Sequence, residues 1–451
     1  MIDAYNLDEP VDNDTRATRA LAPDLIVTPT EVYTDALLLI DAAGRSGGIV
    51  PRDSADPALG VEPLPRRALL PGFVNAHSHV FQRLLRGHTH HGSGGRDSFW
   101  TWRERMYAEA GRLTPESLYT VARSCYGEML RAGYTTVGEF HYVHHAPDGQ
   151  PYDDALVMVR ALVAAASDTG IRLALLPVAY ARGGFDRPAD PGQRRFLFPT
   201  VDAYLDFVES ARSILGDARH TLGVAPHSVR AVPVEWLAPI ARYARDHGLV
   251  LHIHASEQPT EVDETCGAYG CTPIGLLARH DALGRATTLV HATHATAEDC
   301  ALIAAAGTRV CVCPTTEGDL GDGIAPYELF IENGIPLSIG SDGQTRIDPY
   351  EELRWAEFSA RMRYGRRRVL ASGHASPGAL LLAAGTVGGA ESLGVAAGSL
   401  ERGRWADAVA VDLDHSSLHG ATPADLRDTL IFGAGSEVIA GVWVGGARIR
   451  P

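Results

Sequence analysis

Several apolar segments of this 451-residue chain end in histidines, and some of these histidines are closely paired. The stretch "PGFVNAHSHVFQRLLRG" at 71–87 carries His77 and His79, and "LHIHASEQ" repeats the spacing with His252 and His254. Side chains two residues apart in a β-strand point to the same face, about 6.6 Å apart along the chain. Two imidazoles on one face can bind one tetrahedral ion such as zinc, at about 2.0–2.1 Å. The spacing therefore predicts a metal site.

The pair in "LHIHASEQ" is predicted to contribute one ligand. We favour His254, because it lies nearer the end of the apolar segment and Glu257 follows three residues later. A carboxylate beside a metal ligand is suited to proton transfer. His252 is expected to be a hydrogen-bonded barrel residue or a support for the ligands. In "LVHATHAT", His291 lies on the apolar segment and His294 begins the loop that follows.

Other apolar segments also end in a polar residue. His141, His227 and Asp342 each follow one, and Asp342 comes after a fully apolar run and a glycine in "IGSDGQ". A buried carboxylate at that place needs a partner, which a metal ion or its bound water would provide. Because the pattern recurs at several segment ends, it predicts side chains that meet at one site.

The elements that could bring these side chains together form a regular alternation. From about residue 68, eight apolar segments alternate with stretches of helical spacing such as "PESLYTVARSCYGEMLRAG" and "PVEWLAPIARYARDHG". This order predicts a parallel (β/α)8 barrel, in which the carboxyl ends of the strands form the active-site face. The eight segments are "RALLPGFVNAHSHV", "TTVGEFHYVHH", "RLALLPVAYA", "HTLGVAPHSVR", "LVLHIHASE", "TTLVHATHAT", "TRVCVCPTTE" and "IPLSIGSDGQTR".

The two ends of the chain differ from its middle. Residues 1–67 and 395–451 hold short strand-like runs, such as "ADAVAVDLD", that are broken by glycine and aspartate turns. We predict that both ends together form one small β-sandwich domain, and that residues 68–394 form the barrel. The stretch "YARGGFDRPADPGQRR" at 180–195 is predicted to be a flexible loop.

Composition excludes several classes of function. The net charge of −15 argues against a general binder of nucleic acid or anionic membranes. An anionic substrate would need arginines placed at its binding site, because the overall field repels it. All 40 basic residues are arginines, so mechanisms that need a Schiff-base lysine, a phosphate-binding loop lysine or a carbamylated lysine are excluded.

Other features of the composition bear on the compartment. No apolar run approaches the roughly 18 residues that a membrane span needs, and the acidic start "MIDAYNLDEPVDNDTRATRA" lacks the features of a secretory signal. None of the six cysteines forms a C-x-x-C pair. These observations predict a cytoplasmic protein with reduced cysteines.

Taken together, these motifs resemble the amidohydrolase superfamily and, within it, the mononuclear zinc deaminases. The likeness consists of H-x-H on the first barrel strand, H-x-x-E on the fifth, His on the sixth, Asp on the eighth and a β domain split between the chain ends. Binuclear relatives commonly use a carbamylated lysine on the fourth strand, and this chain has no lysine.

A narrower likeness is to the family of N-formimino-L-glutamate deiminases. It rests on "DSFWTWRERMY", "GEFHYVHH", "APHSVRAV", "LVHATHAT" and "CPTTEGDLGDG", which occur in the family's order. The first 60 residues match poorly, and Asp319 stands where the family pattern has asparagine. The resemblance implies zinc-dependent hydrolysis of N-formimino-L-glutamate to N-formyl-L-glutamate and ammonia, a step of histidine degradation.

The resemblance also implies roles for particular residues. The zinc ligands would be His77, His79, His254 and Asp342, and the catalytic residues would be Glu257, His291 and Asp342. The substrate, a small dicarboxylate, would contact Gln82, Arg103, Tyr142, His227 and Arg230. Planar guanidinium groups bind carboxylates with two parallel hydrogen bonds, which suits such a substrate. One Zn²⁺ per chain and a homodimer are implied, although three histidines and one aspartate also suit Fe²⁺.

Two other hypotheses remain open from the sequence. The same zinc site could deaminate a heterocyclic amine such as guanine or a triazine, and an aromatic pocket without paired arginines would favour that function. A metal-free barrel could instead serve as a binding or scaffold protein, which would require a decayed ligand set. The sequence does not distinguish formiminoglutamate from formiminoaspartate, because the two differ by one methylene group.

Overall fold

A computed structural model describes residues 17–90, 98–371, 373 and 376–449. Within these ranges the chain forms two sheets of eight strands each, one from the middle of the chain and one from its two ends. The first 16 residues of the predicted amino-terminal β segment lie outside the described residues. The strands that precede the barrel are β1 Ala17–Val27, β2 Val32–Thr34, β3 Ala36–Asp41, β4 Ser46–Pro51 and β5 Gly60–Pro71.

The middle of the chain forms the predicted (β/α)8 barrel. Its eight strands are parallel and lie side by side in sequence order. An isolated parallel bridge between Ser78 and Asp342 joins the first strand to the segment after the last one. These strands are β6 Phe73–Ser78, β7 Tyr134–His141, β8 Arg172–Ala179, β9 Thr221–Pro226, β10 Val250–Ala255, β11 Thr287–His291, β12 Arg309–Val312 and β13 Leu337–Ile339.

Helices follow the barrel strands and cover their outer faces, so most strand residues are buried on both sides, as parallel sheets require. Thr114, Thr200 and Thr296 each begin a helix by accepting a backbone N–H of its first turn. The helices are α1 Phe99–Arg112, α2 Pro115–Arg131, α3 Val157–Thr169, α4 Val201–Ile214, α5 Val234–Asp246, α6 Pro259–Tyr269, α7 Pro273–Arg279, α8 Ala297–Ala306, α9 Pro314–Leu320, α10 Tyr327–Glu332, α11 Pro349–Tyr364, α12 Pro377–Ala383, α13 Gly389–Ser392 and α14 Leu426–Gly433. None of the helices in the described ranges is both long and apolar enough to span a membrane.

The two chain ends meet in the second sheet, as the sequence predicts. The carboxyl end adds β14 Ala408–Asp412, β15 Ile439–Val444 and β16 Ala447–Ile449. Strand β5 pairs with β14 on one side and with β1 on the other, so the two ends form one hydrogen-bonded sheet. The predicted boundary between residues 67 and 68 falls inside β5, because this strand continues to Pro71 before the barrel begins.

Alternate residues of the second sheet serve two different cores. Leu69 and Ala408 pack with Trp443 in a core that belongs to the chain ends, whereas their neighbours Leu70 and Val409 pack in the main barrel core. This alternation follows from the period of two in a β-strand. One face of the second sheet therefore packs against the barrel core.

A buried ion pair connects the two parts of the molecule. Arg172 at the start of β8 donates from Nη2 to Asp407 Oδ1 at 3.0 Å and from Nε to Oδ2 at 3.2 Å, with at most 1% of either side chain exposed. We expect Asp407→Ala to lower the free energy of unfolding by about 3–5 kcal/mol, because it leaves a buried guanidinium without its counter-ion. Urea denaturation measures the change. Arg112→Ala removes an exposed pair with Glu109 and serves as the control, with an expected change of at most about 1 kcal/mol. Equal effects of both substitutions would contradict the assignment.

Candidate active site

Four side chains converge at the carboxyl ends of the barrel strands. His77 lies on β6 and His79 directly follows that strand, while His254 lies on β10 and Asp342 follows β13. The Nε2 atom of His77 lies 3.1 Å from Nε2 of His79 and 3.1 Å from Nε2 of His254. Asp342 Oδ1 lies 3.5 Å from His77 Nε2 and 3.3 Å from His79 Nε2. All four residues are buried, and their ligand atoms lie within 4.8 Å of one another.

The hydrogen bonds behind the histidines fix which nitrogen faces the centre. His79 donates from Nδ1 to the carbonyl oxygen of Phe140 at 2.8 Å, and His254 donates from Nδ1 to that of His227 at 3.0 Å. Each neutral ring therefore turns the lone pair of Nε2 towards the others. Burial lowers the pKa of His77 to about 3 and lowers the pKa values of His79 and His254 as well. The rings accordingly stay neutral at ordinary pH.

This arrangement fits a divalent metal ion. Converging lone pairs and a carboxylate repel one another unless a cation lies between them. Ligands at about 2.05 Å in a tetrahedron are separated by about 3.3 Å, and the observed separations of 3.1–3.5 Å bracket that value. Three imidazole nitrogens and one carboxylate oxygen are ligands that zinc accepts. The four residues are therefore able to hold one metal ion.

Unusual backbone angles occur at several strand ends around the four converging residues. Ser256, His291 and Asp342 have φ angles of 53°, 71° and 43°, in the left-handed region that residues other than glycine seldom adopt. All three lie at or just beyond the carboxyl end of a barrel strand. Strain of this kind is typical of functional sites, where the surrounding structure holds a side chain in a required direction.

A second group of titratable side chains borders the four ligands. His291 Nε2 lies 3.6 Å from Asp342 Oδ2 and 3.8 Å from Glu257 Oε1, and its Nδ1 lies 3.3 Å from Glu317 Oε1. Burial disfavours a charge on His291, but the three carboxylates outweigh burial and raise its pKa well above the usual value. Burial raises the pKa of Glu257, although His291 and Arg230 oppose this effect. The group can therefore hold and transfer protons.

Asp342 has two different neighbourhoods. Its Oδ1 faces the imidazoles of His77 and His79, and its Oδ2 faces His291. Burial alone would raise the pKa of Asp342, but the hydrogen bond from His77 and the nearby histidines lower it below its usual range. The carboxylate is thus ionised and suited to bind a cation through one oxygen, while its other oxygen faces His291.

The five residues that the resemblance assigns to the substrate line one pocket with the catalytic group. They are Gln82, Arg103, Tyr142, His227 and Arg230. Gln82 donates to the hydroxyl of Tyr142 at 2.9 Å. The guanidinium of Arg103 lies 4.5 Å above the ring of Trp100, and among the described residues its Nε has no hydrogen-bond partner. Two arginines and a metal-ligand group therefore share one cavity.

Arg230 is buried beside two glutamates. Its Nη2 lies 3.7 Å from Glu257 Oε2, and its Nε lies 3.5 Å from Oε1 of the fully buried Glu261. Burial would lower the pKa of Arg230, but Glu261 and Glu257 raise it, so the guanidinium stays protonated. Neither Nε nor Nη2 makes a hydrogen bond within the described part of the chain. The guanidinium is held in place while it still has donors for an incoming carboxylate.

Three further histidines that the sequence singles out lie elsewhere. His252 donates to the carbonyl oxygen of Ser392 at 2.7 Å, and His294 donates to that of Asp322 at 2.8 Å. The ring of His141 packs edge-on against His144, 5.2 Å away. None of the three belongs to the groups of potential metal ligands that the described residues form.

Sequence reasoning missed two buried glutamates of the site. Glu317 contacts His291 and accepts the backbone N–H of Cys313 at 2.8 Å. Glu261 accepts the backbone N–H of Glu257 at 3.0 Å and neighbours Arg230. Both lie in the first turn of a helix that follows a barrel strand. The search for polar residues at the strand ends identified the histidines, and extending it to these first helical turns would have included both glutamates.

Comparison with known proteins agrees with this geometry. The amidohydrolase family model matches residues 68–449, and the chain belongs to the amidohydrolase family of hydrolases. The chain is 41% identical over 409 residues to formimidoylglutamate deiminase of Pseudomonas aeruginosa, a match that covers 90% of this chain and 89% of that protein. It is also 28% identical over 432 residues to 8-oxoguanine deaminase of Pseudomonas aeruginosa, covering 90% of this chain and 92% of the relative.

Solved structures show the same architecture. A crystal structure of an amidohydrolase from Brucella melitensis superposes with a TM-score of 0.87 and 34% identity, covering 95% of this chain and 94% of the other. An adenosine deaminase from Xanthomonas campestris with bound zinc gives a TM-score of 0.80 at 24% identity, covering 96% and 92%. The second likeness is one of fold alone.

Proposed function

We propose that this protein hydrolyses N-formimino-L-glutamate to N-formyl-L-glutamate and ammonia. The observation that carries the proposal is the presence of two guanidinium groups, Arg103 and Arg230, in the same pocket as the metal-ligand group. A substrate with two carboxylates and one amidine matches that combination of charges. The identity of 41% to a formimidoylglutamate deiminase supports the same substrate.

We propose that one Zn²⁺ is held by His77, His79, His254 and Asp342, with Fe²⁺ as the alternative ion for this ligand set. When bound, such an ion supplies the Lewis acidity that makes water a nucleophile near neutral pH. The buried imidazoles stay neutral because of their low pKa values, so they do not have to lose protons before they bind the ion.

The carboxyl groups of Asp342 and Glu257 transfer protons in the reaction. A carbon–oxygen bond forms at the formimino carbon, the bond to the terminal nitrogen breaks, and both protons of water end on the departing ammonia. Asp342 accepts a proton at Oδ2, the oxygen turned away from His77 and His79. Glu257 carries a proton to the leaving nitrogen, since burial raises its pKa and favours the protonated form.

His291 connects these two carboxyl groups. Its Nε2 lies 3.6 Å from Asp342 and 3.8 Å from Glu257, and Glu317 holds its other nitrogen. The surrounding carboxylates raise the pKa of His291 and favour its protonated form. It therefore stabilises negative charge that develops on the attacking oxygen.

Arg103→Met and Arg230→Met test the dicarboxylate assignment. We expect each to lower kcat/KM for formiminoglutamate by about 10- to 100-fold through KM, because each removes a charged hydrogen-bonding partner of a carboxylate. Metal content, measured by elemental analysis, should stay unchanged. Arg187→Met, which removes an exposed partner of Glu264 outside the pocket, is the matched control. Unchanged kcat/KM in both pocket variants would remove the argument for a dicarboxylate.

The second candidate function is deamination of a heterocyclic amine. The pocket is also lined by aromatic residues, and one relative is an 8-oxoguanine deaminase. A panel of formiminoglutamate, formiminoaspartate, guanine and a triazine, read as ammonia release, separates these functions. We expect the formimino amino acids to react fastest, because a neutral ring offers neither arginine a substrate carboxylate to bind.

We further propose a cytoplasmic homodimer. All six cysteines are free, as in a reducing compartment, and the family resemblance implies the dimer. Analytical ultracentrifugation of the purified protein tests the oligomeric state, with a mass of about twice that of one chain as the expected result.

A further inference from the structure

We propose that the hydroxyl groups of Tyr107 and Tyr180, held by Gln193, complete the binding site for the substrate carboxylate that Arg230 takes. This inference rests on the proposed function and adds two contacts that determine the specificity of the site for a carboxylate. Tyr107 lies on α1, one turn beyond Arg103, and Tyr180 directly follows β8. Both tyrosines line the pocket that holds the metal-ligand group.

The orientation of Gln193 determines what the two hydroxyls can do. Its side-chain oxygen accepts the backbone N–H of Asp190 at 2.7 Å, so its amide nitrogen must face the other way. That nitrogen donates to the hydroxyl of Tyr107 at 2.8 Å and to the hydroxyl of Tyr180 at 2.6 Å. Both phenol oxygens therefore act as acceptors towards Gln193. Only 1% of Gln193 is exposed, so water does not compete for these bonds.

A phenol that accepts a hydrogen bond keeps its own hydrogen to donate. Tyr107 and Tyr180 together have two hydroxyl hydrogens, and at most one of them can form a hydrogen bond between the two hydroxyls. At least one O–H is therefore left to donate into the pocket. Burial raises the pKa of Tyr180 far above its usual value, although Arg230 and Arg103 partly oppose this effect. The hydroxyl accordingly stays a neutral donor at any working pH.

The positively charged side chains that share the pocket with the two tyrosines favour binding of an anion. Arg230 lines the same pocket as Tyr180 and Tyr107, and the guanidinium of Arg103 lies 5.6 Å from the ring of Tyr107. The ring of Tyr180 also packs 4.8 Å from that of His227. Guanidinium and hydroxyl donors that line one pocket are matched by a carboxylate, which accepts at both oxygens. A neutral heterocycle would leave these donors unpaired.

The double variant Tyr107→Phe/Tyr180→Phe removes both hydroxyls and keeps the rings. We expect it to weaken binding of N-formyl-L-glutamate about 10-fold or more, because a hydrogen bond to a charged group is lost. Isothermal titration calorimetry on the metal-loaded protein measures this without turnover. KM for formiminoglutamate should rise by a similar factor. Tyr152→Phe, whose hydroxyl accepts from Arg195 outside the pocket, is the matched control and should leave both values unchanged.

Gln193→Glu tests the role of the amide. A carboxylate accepts where the amide donates, so it would draw the phenol hydrogens away from the pocket. We expect it to weaken binding in the native background and to have a much smaller effect in the double-phenylalanine background. Equal effects in both backgrounds would show that Gln193 does not act through the tyrosines and would overturn the proposal.

Substrates with one carboxylate identify the contact. N-formiminoglycine lacks the side-chain carboxylate, and N-formimino-4-aminobutyrate lacks the α-carboxylate. The loss caused by the double variant should disappear with one of these substrates and persist with the other. An unchanged affinity for N-formyl-L-glutamate, or an equal loss with both substrates, would overturn the inference. Failure of the native protein to release ammonia from formiminoglutamate would instead refute the proposed function, and the calorimetric comparison would still decide the role of the tyrosines.

Discussion

Glu257→Gln is expected to keep the metal and to lose a factor of about 10²–10⁴ in kcat, the usual contribution of a general acid–base group. The amide has nearly the shape of the carboxyl group but cannot carry a proton to the leaving nitrogen. Glu257 lies 3.8 Å from His291 and 3.7 Å from Arg230 and is not one of the four potential ligands. Elemental analysis and steady-state ammonia release on the same preparation measure both quantities.

Glu264→Gln provides the matched control for this experiment. Glu264 lies on α6, the helix that begins two residues after Glu257, but it pairs with Arg187 and does not line the pocket. We expect the control to retain the kcat of the native protein. A fully active Glu257→Gln variant would show that another group carries the proton, and the role assigned to Glu257 would then be wrong.

His79→Ala is expected to lose both metal and turnover. The His79 Nε2 atom lies 3.1 Å from that of His77 and 3.3 Å from Asp342 Oδ1. The substitution therefore removes one of the four potential ligand atoms. Changes to residues that only support a ligand typically cost 10- to 100-fold in metal affinity, so we expect loss of a ligand to exceed about 100-fold. Elemental analysis after dialysis, together with ammonia release, measures the outcome.

His145→Ala is the control for loss of an imidazole. His145 donates to the carbonyl oxygen of Leu197 and lies outside the pocket. It should retain metal and activity. If His79→Ala bound metal as tightly as the native protein, His79 would not be a ligand, even though it lies within the cluster.

The barrel and the positions of the four potential ligands could be predicted because both depend on local periodicity. Strand segments that end in His or Asp place those residues at one face of a parallel barrel whatever the helices between them do. Position alone also favoured His254 over His252, and the structure brings His254 to the other ligands while His252 bonds to Ser392. The pairing of β5 with both β1 and β14 likewise follows the strand-like composition of the chain ends.

The supporting residues could not be predicted in the same way, because each acts through a partner that is distant in sequence. Glu317 reaches His291 from the helix after the next strand, and Glu261 reaches Arg230 in the same way. Gln193 lies in the stretch 180–195, whose glycines and prolines predict a flexible loop. Its buried amide instead bonds two pocket tyrosines. Loop composition predicts the absence of regular structure, but it does not reveal a hydrogen bond that fixes the loop.

The most direct test of the account is a titration of metal-free protein with Zn²⁺ in the presence of formiminoglutamate. Ammonia and N-formyl-L-glutamate are measured at each point. The account predicts that both products appear in equal amounts and that activity rises to a plateau at about one Zn²⁺ per chain, as for a single four-residue site. Activity that is independent of added metal, or fully loaded protein that releases no ammonia from this substrate, would contradict it.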